Sequence, residues 1–539
     1  MSTIPSPRVL LAALCAPLPA LTLAVAATIA VVLPGAAAAR HSDHHLPIVK
    51  IDGGDVRGAV VSGGYAFRGL PYAAPPTGAL RWRPPEPPAA WKGVRDATEF
   101  APSCPQPGKP SASEDCLYLN VYLPEPIKVH GRGRPVLVWI HGGGATTGSG
   151  QDYDPAKLAA DGTVVVTINY RLGALGFLAH PALASRPGGP SGNYGLMDQQ
   201  AALRWVQDNI RRFGGNPHNV TIAGESSGGV HVLAHLVSPG SRGLFHRAIV
   251  MSGTFALSQL SLDAAETEGE AFASRAGCPD QTAECLRNLP VDKLVDNFPN
   301  QAGRTTIVDG RVVKESMGTA LAAGRFAHVP ILNGIDHEEE RLFLMTGSAV
   351  SQGTFVPVGA VTAANYQAKL ESVLDVPAAR AAEIAAEYPL DAYASPTLAF
   401  SAAVGDANFA CTALQQDEWT ARQVPTFAYE FDDDLAPARF WPPNFLNPPV
   451  ATHTSELPYL FDEPGAPFQG PLSPDQEALA AAMRAAWANF AASGDPSTSA
   501  VPWPSFGESA PVMSLVPPQP QVETDFASRH HCSFWMSSN

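Results

Sequence analysis

The spacing of apolar residues changes character along the chain, and each change predicts an element. Val136-Leu137-Val138-Trp139-Ile140 is a short unbroken apolar run, the mark of a strand buried on both faces. Thr163 to Tyr170 predicts a second strand, entered through Asp161-Gly162. From Met197 to Phe213 the apolar positions fall at Ala201, Leu203, Val206, Ile210 and Phe213, which is helical spacing, and Gly214-Gly215-Asn216-Pro217 stops that helix. Val220 to Ala223 predicts a third strand and Val230 to Val237 a helix, while His246 to Met251 and Val329 to Leu332 read as further strands. Strands alternating with helices predict an α/β fold with a central, mostly parallel sheet flanked by helices.

The first forty residues break this pattern. Arg8 is the only charge before an Ala-rich apolar stretch from Val9 to Leu33, which ends in Pro34-Gly35 and the small run Ala36 to Ala39. A positive start, an apolar middle and a small-residue end describe a secretory signal. Residues 1–39 are therefore expected to be cleaved on export, and Pro17, Pro19 and Pro34 weigh against an uncleaved spanning helix. Residues 40–539 are expected to form one catalytic domain, because no linker, charge block or repeat divides them. No membrane contact is expected after cleavage.

Composition narrows the chemistry. The 539 residues are 45% apolar and 16% charged, an ordinary globular balance. The net charge of −15 leaves no basic surface for phosphates and excludes a nucleic-acid partner. Loss of Cys15 with the signal would leave Cys104, Cys116, Cys278, Cys285, Cys411 and Cys532, an even set that in an exported chain predicts disulfides. Two close pairs and two distant singles make 104–116, 278–285 and 411–532 the simplest pairing. No C-x-x-C pair or clustered Cys/His spacing suggests zinc, and His41, His44 and His45 read as a disordered tail rather than a metal site.

Gly224-Glu225-Ser226-Ser227-Gly228 sits between a predicted strand and a predicted helix, the setting of a nucleophile elbow, where small residues flank a serine on a sharp turn. Ser227 is the rival nucleophile, but its frame puts Glu225 where the turn needs glycine. Upstream, His141-Gly142-Gly143-Gly144 follows a strand, and glycines there let backbone N–H groups approach an oxyanion; Ser227 N–H would add another donor. The acid and base should follow the serine in the order carboxylate, histidine. Among the downstream histidines, His231 and His235 fall within the helix after the elbow and His530 and His531 adjoin Cys532. His453 lies in a loop after a Pro/Asn-rich stretch, which favours it as the base.

These residues resemble the type-B carboxylesterases, the family that also holds the cholinesterases and some fungal lipases. The resemblance runs from about Gly54 to the C-terminus. It rests on Phe67-Arg68-Gly69-Leu70-Pro71-Tyr72-Ala73, Ser113 to Asn120, Asn169-Tyr170-Arg171-Leu172-Gly173, Phe213 to Pro217 and the Gly-Glu-Ser turn. It implies an α/β-hydrolase fold, acyl transfer and no cofactor or metal. The family's acid lies in a segment like Gly-x-Asn-x-Asp-Glu-Gly. The match is Gly334-Ile335-Asp336-His337-Glu338-Glu339-Glu340, which implies Glu339, with Asp336, Glu338 and Glu340 departing from the pattern. The family's base precedes Gly-x-Glu, and His453-Thr454-Ser455-Glu456 matches except at Thr454, with Glu456 implied as a structural partner rather than a catalyst. Gly143, Gly144 and Ser227 are the implied oxyanion donors.

Within that family, cholinesterase-like members carry a choline-binding tryptophan in a long first disulfide loop, and the lipases make that loop a lid. Residues 105–115 are short and hold no aromatic, which favours a carboxylesterase for small soluble esters. A secreted lipase or polyester hydrolase is the nearer alternative and a non-catalytic adhesion module the remoter one. Phe255 is a candidate lining of the acyl pocket, or ordinary core.

Overall fold

The computed structural model describes residues 46–127, 131–184, 189–298, 306–437, 447–468 and 470–537. The predicted signal segment, Cys15 and the His41, His44 and His45 run lie outside them. The backbone of the fold is an eleven-stranded sheet. Its strands in chain order are β1 (Ala59–Val61), β2 (Gly64–Pro71), β3 (Tyr118–Pro124), β4 (Arg134–Ile140), β5 (Val164–Ile168), β6 (Gly215–Glu225), β7 (Arg247–Met251), β8 (Ile331–Asp336), β9 (Thr426–Phe431), β10 (Val512–Leu515) and β11 (Gln521–Glu523). In space they run β11-β10-β9-β8-β7-β6-β4-β5-β3-β2-β1. The pairs from β10 to β5 are parallel, and those at the two margins are antiparallel. This is the mostly parallel sheet that the alternation predicts, in the α/β-hydrolase fold that the resemblance implies.

Side chains that alternate across a strand feed separate cores on the two faces. Along β4, Val136, Val138 and Ile140 enter one apolar cluster while Leu137 and Trp139 enter the other. Register brings the site together. Ile140 pairs with Gly224, Glu225 with Met251, Met251 with Gly334, and Asp336 with Phe431, so the C-terminal ends of β4, β6, β7, β8 and β9 share one edge of the sheet.

Two elements differ from the pattern. The helix expected over 197–213 is α1 (Tyr194–Asn209), followed by a tight turn over Ile210–Phe213 that Gly214 ends at φ 82°. β6 then begins at once, because Gly215 pairs with Arg134 across a register shift, so the expected stop is itself strand. β8 runs on to Asp336, past the apolar run, since Asn333 and Asp336 are buried by their neighbours rather than by their own polarity.

Disulfides join Cys104 to Cys116, Cys278 to Cys285 and Cys411 to Cys532. Among the described residues no helix is long and apolar enough to cross a membrane. Residues 46–539 form one contact unit.

Candidate active site

Ser226 sits at the break between β6 and α2 (Ser227–Val237), with φ 56° and ψ −128°. A non-glycine residue holds such a conformation only when its surroundings impose it. Here Ser226 N–H donates to Met251 O at 2.9 Å, and the flanking glycines make the turn possible. A Cβ on Gly228 would lie 2.1 Å from Ile140 O, and one on Gly224 would lie 2.6 Å from Gly228. The spacing of the motif is thus a packing requirement between the turn and β4. Ser227 faces the glycine loop: its Oγ accepts from Ala145 N–H at 2.9 Å.

The loop after β4 is shaped by its glycines. Gly143 and Gly144 have φ 89° and 62°, and a Cβ on Gly143 would meet Thr147 at 2.6 Å. Among the described residues the N–H groups of Gly143 and Gly144 have no protein acceptor. Gly142 lies against the serine, its ideal Cβ position 3.0 Å from Ser226 Cβ. The Cys104–Cys116 loop braces this segment: Gln106 donates to Gly148 O at 3.0 Å and accepts from Gly148 N–H at 2.9 Å.

Of the three adjacent glutamates, one reaches a histidine. Glu339 Oε2 lies 2.5 Å from His453 Nδ1, and its Oε1 accepts from Asp336 N–H at 2.9 Å. Glu338 is turned to Arg341 at 2.9 Å, and Glu340 accepts from Val350 N–H at 3.1 Å. The His453 loop is tied to the same turn, because Thr452 Oγ1 donates to Glu338 O at 2.9 Å and accepts from Leu342 N–H at 3.0 Å. Thr454, where the resembled pattern has glycine, sits at φ 77°, a strained position for a β-branched residue.

The other imidazole nitrogen is where the structure departs from expectation. Among the described residues His453 Nε2 makes no hydrogen bond, to Ser226 Oγ or to any other group, and it lies 3.2 Å from Glu225 Oε1. Glu225 entered the motif only as a spacer beside the serine, so sequence missed its proximity to the base. Burial opposes the imidazolium, but the Glu225 and Glu339 carboxylates outweigh it and raise His453 to about 9. Burial raises Glu225 to about 8, against the pull of His453 and with repulsion from Glu456 and Glu339. A proton on Glu225 removes the charge that holds a proton on His453, so the two shifts describe one pair.

Behind this pair lie two more buried carboxyls, Asp336 and Glu456, whose oxygens find no hydrogen-bond donor among the described residues. Burial and neighbouring acids push Asp336 well above the usual range and Glu456 to about 7. His231 and His235 lie fully buried in α2, hydrogen-bonded to Gln199, and burial lowers both to about 3. They stay neutral and form part of the scaffold. Aromatic rings wall His453: Phe343 and Phe409 lie at centroid distances of 4.8 and 5.7 Å, with Phe255 5.1 Å from Phe409. Phe255 is the candidate pocket lining offered by the sequence, whereas Phe343 and Phe409 gave no positional signal there. A cavity of about 280 Å³ opens beside Thr146 and Thr147, bounded by Gln106, Leu172, Leu175 and Phe298.

The sequence profile described as the carboxylesterase family matches residues 45–535. The para-nitrobenzyl esterase of Bacillus subtilis is 34% identical over 506 residues, which cover 89% of this chain and 96% of that protein. The fumonisin B1 esterase of Sphingopyxis macrogoltabida is 36% identical over 474 residues, 83% of each chain. The human (Homo sapiens) cocaine esterase is 34% identical over 530 residues, 92% of this chain and 91% of its own. Among solved structures, a PNB esterase superposes with a TM-score of 0.75 at 33% identity, covering 90% of this chain and 99% of that one. A carboxylesterase of Geobacillus stearothermophilus superposes with a TM-score of 0.76 at 32% identity and the same coverage.

Proposed function

The chain belongs to the carboxylesterase family and hydrolyses carboxylic esters, and we propose that it does so as an exported serine esterase with Ser226 as nucleophile, His453 as base and Glu339 as orienting acid. The observation that carries this reading is the 2.5 Å contact between Glu339 and His453 Nδ1 on the sheet edge where Ser226 stands at the tip of its turn. With Nδ1–H given to Glu339, Nε2 is left as the lone-pair nitrogen, the tautomer a general base needs.

In the proposed cycle, His453 Nε2 closes on Ser226 Oγ and takes its proton as the oxygen attacks the ester carbonyl. Such contacts commonly tighten only when substrate is bound. The N–H groups of Gly143, Gly144 and Ser227 receive the oxyanion, each worth about 3 kcal/mol in the transition state. His453 then protonates the departing alcohol, and water repeats the sequence on the acyl-enzyme. The imidazolium formed at each stage stands between Glu339 and Glu225.

The aromatic wall of Phe343 and Phe409, backed by Phe255, supports an apolar group on one side of the ester. The braced Cys104–Cys116 loop supports a small soluble ester over a lipase's interface-opened substrate. Three disulfides and the N-terminal signal pattern support export. The test is Ser226→Ala. It should lower kcat on p-nitrophenyl acetate by about 10⁶-fold with the fold intact, and a fluorophosphonate should label Ser226 alone. Retained hydrolysis, or label elsewhere, would overturn the assignment. A preference for long acyl chains that sharpens at an interface would move the reading to a lipase.

A further inference from the structure

On the far side of the Glu339 turn a second polar cluster collects residues distant in sequence. His337 Nδ1 lies 2.7 Å from Glu430 Oε1 and 3.3 Å from Asp432 Oδ1. His530 Nε2 lies 2.8 Å from the same Glu430 oxygen. The ligand atoms of His337, Glu430 and His530 all fall within 4.8 Å of one another. Nothing in the esterase chemistry uses them.

We propose that His337, His530, Glu430 and Asp432 form a structural site for a divalent transition-metal ion, with zinc the best fit, which pins the C-terminal segment to β9 and to the turn that carries Glu339. Two imidazoles and two carboxylates suit tetrahedral zinc, whose bonds of about 2.0–2.1 Å set neighbouring ligand atoms about 3.3 Å apart. The His337–Asp432 pair already has that separation, the two contacts to Glu430 need to open by about half an ångström, and Asp432, which clusters with Glu430 and Glu523 rather than with His530, must swing toward the His530 nitrogen.

Two features outside the four ligands favour an ion. The first is the orientation of His530. Its Nδ1 is held by Asp406 Oδ1 at 2.5 Å, and Asp406 is held in turn by the Tyr388 hydroxyl at 2.8 Å. A carboxylate on the outer nitrogen fixes the ring and aims the other nitrogen inward, the arrangement that metal-binding histidines adopt. Glu430 is held likewise, its second oxygen accepting from Arg529.

The second feature is charge. Asp406, Glu430, Asp432, Glu523 and Asp525 surround the single guanidinium of Arg529 and the two imidazoles. Glu430 is fully buried and the side chain of His530 is 5% exposed. Neutral imidazoles would leave a surplus of four negative charges, two of them on Glu523 and Asp525, whose side chains are 33% and 62% exposed. One divalent ion removes as much of that surplus as two protons would, and it leaves the carboxylate frame in place. The side chain of His337 is 31% exposed and provides the way in.

The test uses the full chain, dialysed against a chelator and titrated with zinc alone by calorimetry, with cobalt as a spectroscopic reporter. The wild type should bind one more zinc ion than His337→Ala, and its cobalt form should show the visible bands of a four-coordinate site that the variant lacks. Asp406→Asn, which leaves all four ligands in place, should weaken zinc binding about 10–100-fold. At a hundredfold excess over Kd, zinc should raise Tm by about 2–3 °C in the wild type and leave His337→Ala unmoved. If His337→Ala does not fold, Asp432→Asn takes its place in the same comparison. Equal zinc binding by wild type and variant, which would put the ion elsewhere (the His41, His44 and His45 run, for instance), overturns the proposal. So does the absence of saturable binding. Esterase activity of the metal-free protein should persist, so failure here leaves the serine-esterase reading untouched.

Discussion

Asp336 and His337 are neighbours at the end of β8, yet they enter two opposite kinds of charged cluster. Asp336 joins Glu225, Glu339 and Glu456 around one imidazole, that of His453. His337 joins Glu430 and Asp432 beside His530 and Arg529. Both clusters are rich in carboxylates and both are largely buried. In the first, cations are too few, so burial and mutual repulsion raise the acids, and among the described residues oxygens of Glu225, Asp336 and Glu456 have no hydrogen-bond donor. In the second, each carboxylate has a donor. Burial would raise Glu430, but His530 and His337 hold it below the usual carboxylate range. The lesson is that partner count, not acidity or burial alone, separates a poised site from a brace.

The largest expected effect breaks the comparison at its two carboxylates. Glu339→Gln should cost about 10⁴-fold in kcat, because the amide offers the wrong group to His453 Nδ1 and loses the charge that steadies the imidazolium. Its stability should change little, since the acid layer loses a repulsive charge. Glu430→Gln should do the reverse. Removing one partner of a buried ion network costs about 3–5 kcal/mol, read from a denaturant midpoint, while kcat stays near wild type. If Glu430→Gln instead slows turnover as much as Glu339→Gln does, the two clusters are one functional unit.

Sequence made part of this legible. The strand runs and the helix after Met197 follow local periodicity, so the sheet could be read directly. Ser226 and its glycines are fixed by spacing within five residues, as Gly228 against Ile140 shows. Glu339 was harder, because three glutamates in a row look alike. What separates them is the turn, which sends Glu338 to Arg341 and Glu340 to Val350. Glu225 beside His453, the Phe343 and Phe409 wall, and the His337–Glu430–His530 cluster were not legible. Each depends on strand register and on loops from distant parts of the chain, and no periodicity or motif within one segment encodes it.

A smaller effect sharpens the first cluster. The base works only when His453 is neutral, so kcat/KM should rise with pH through the titration of the Glu225–His453 pair, between about 8 and about 9. Glu225→Gln removes one of the two carboxylates that raise His453. The midpoint should therefore move to lower pH, by about one unit or more, and a pH–rate profile reads it directly. The alkaline plateau should also fall, because the imidazolium of the transition state loses a stabilising charge. A midpoint that stays in place would mean that Glu225 is already neutral where His453 titrates.

The smallest effect tests whether the acid surplus costs stability. Asp336 has its pKa raised by burial and by Glu456 and Glu339, so the folded chain keeps a proton there that the unfolded chain gives up. A carboxyl raised on folding contributes stability that is fully present below its unfolded pKa and is lost as pH rises toward its folded pKa. Asp336→Asn keeps the shape of the neutral acid and needs no proton. Near pH 4 the variant should match the wild type in unfolding free energy. Above that, its advantage should grow by at most about 1.4 kcal/mol per pH unit, until Asp336 or its neighbour Glu456 ionises in the folded chain. The same substitution at Asp432, which burial and Glu430 raise only to about 6 against the pull of His337 and Arg529, should give a gain that stops growing near that pH. Parallel pH–stability curves for Asp336→Asn and wild type would mean that Asp336 sits ionised among its neighbours, and the contrast between the two clusters would then lie in geometry rather than in proton number.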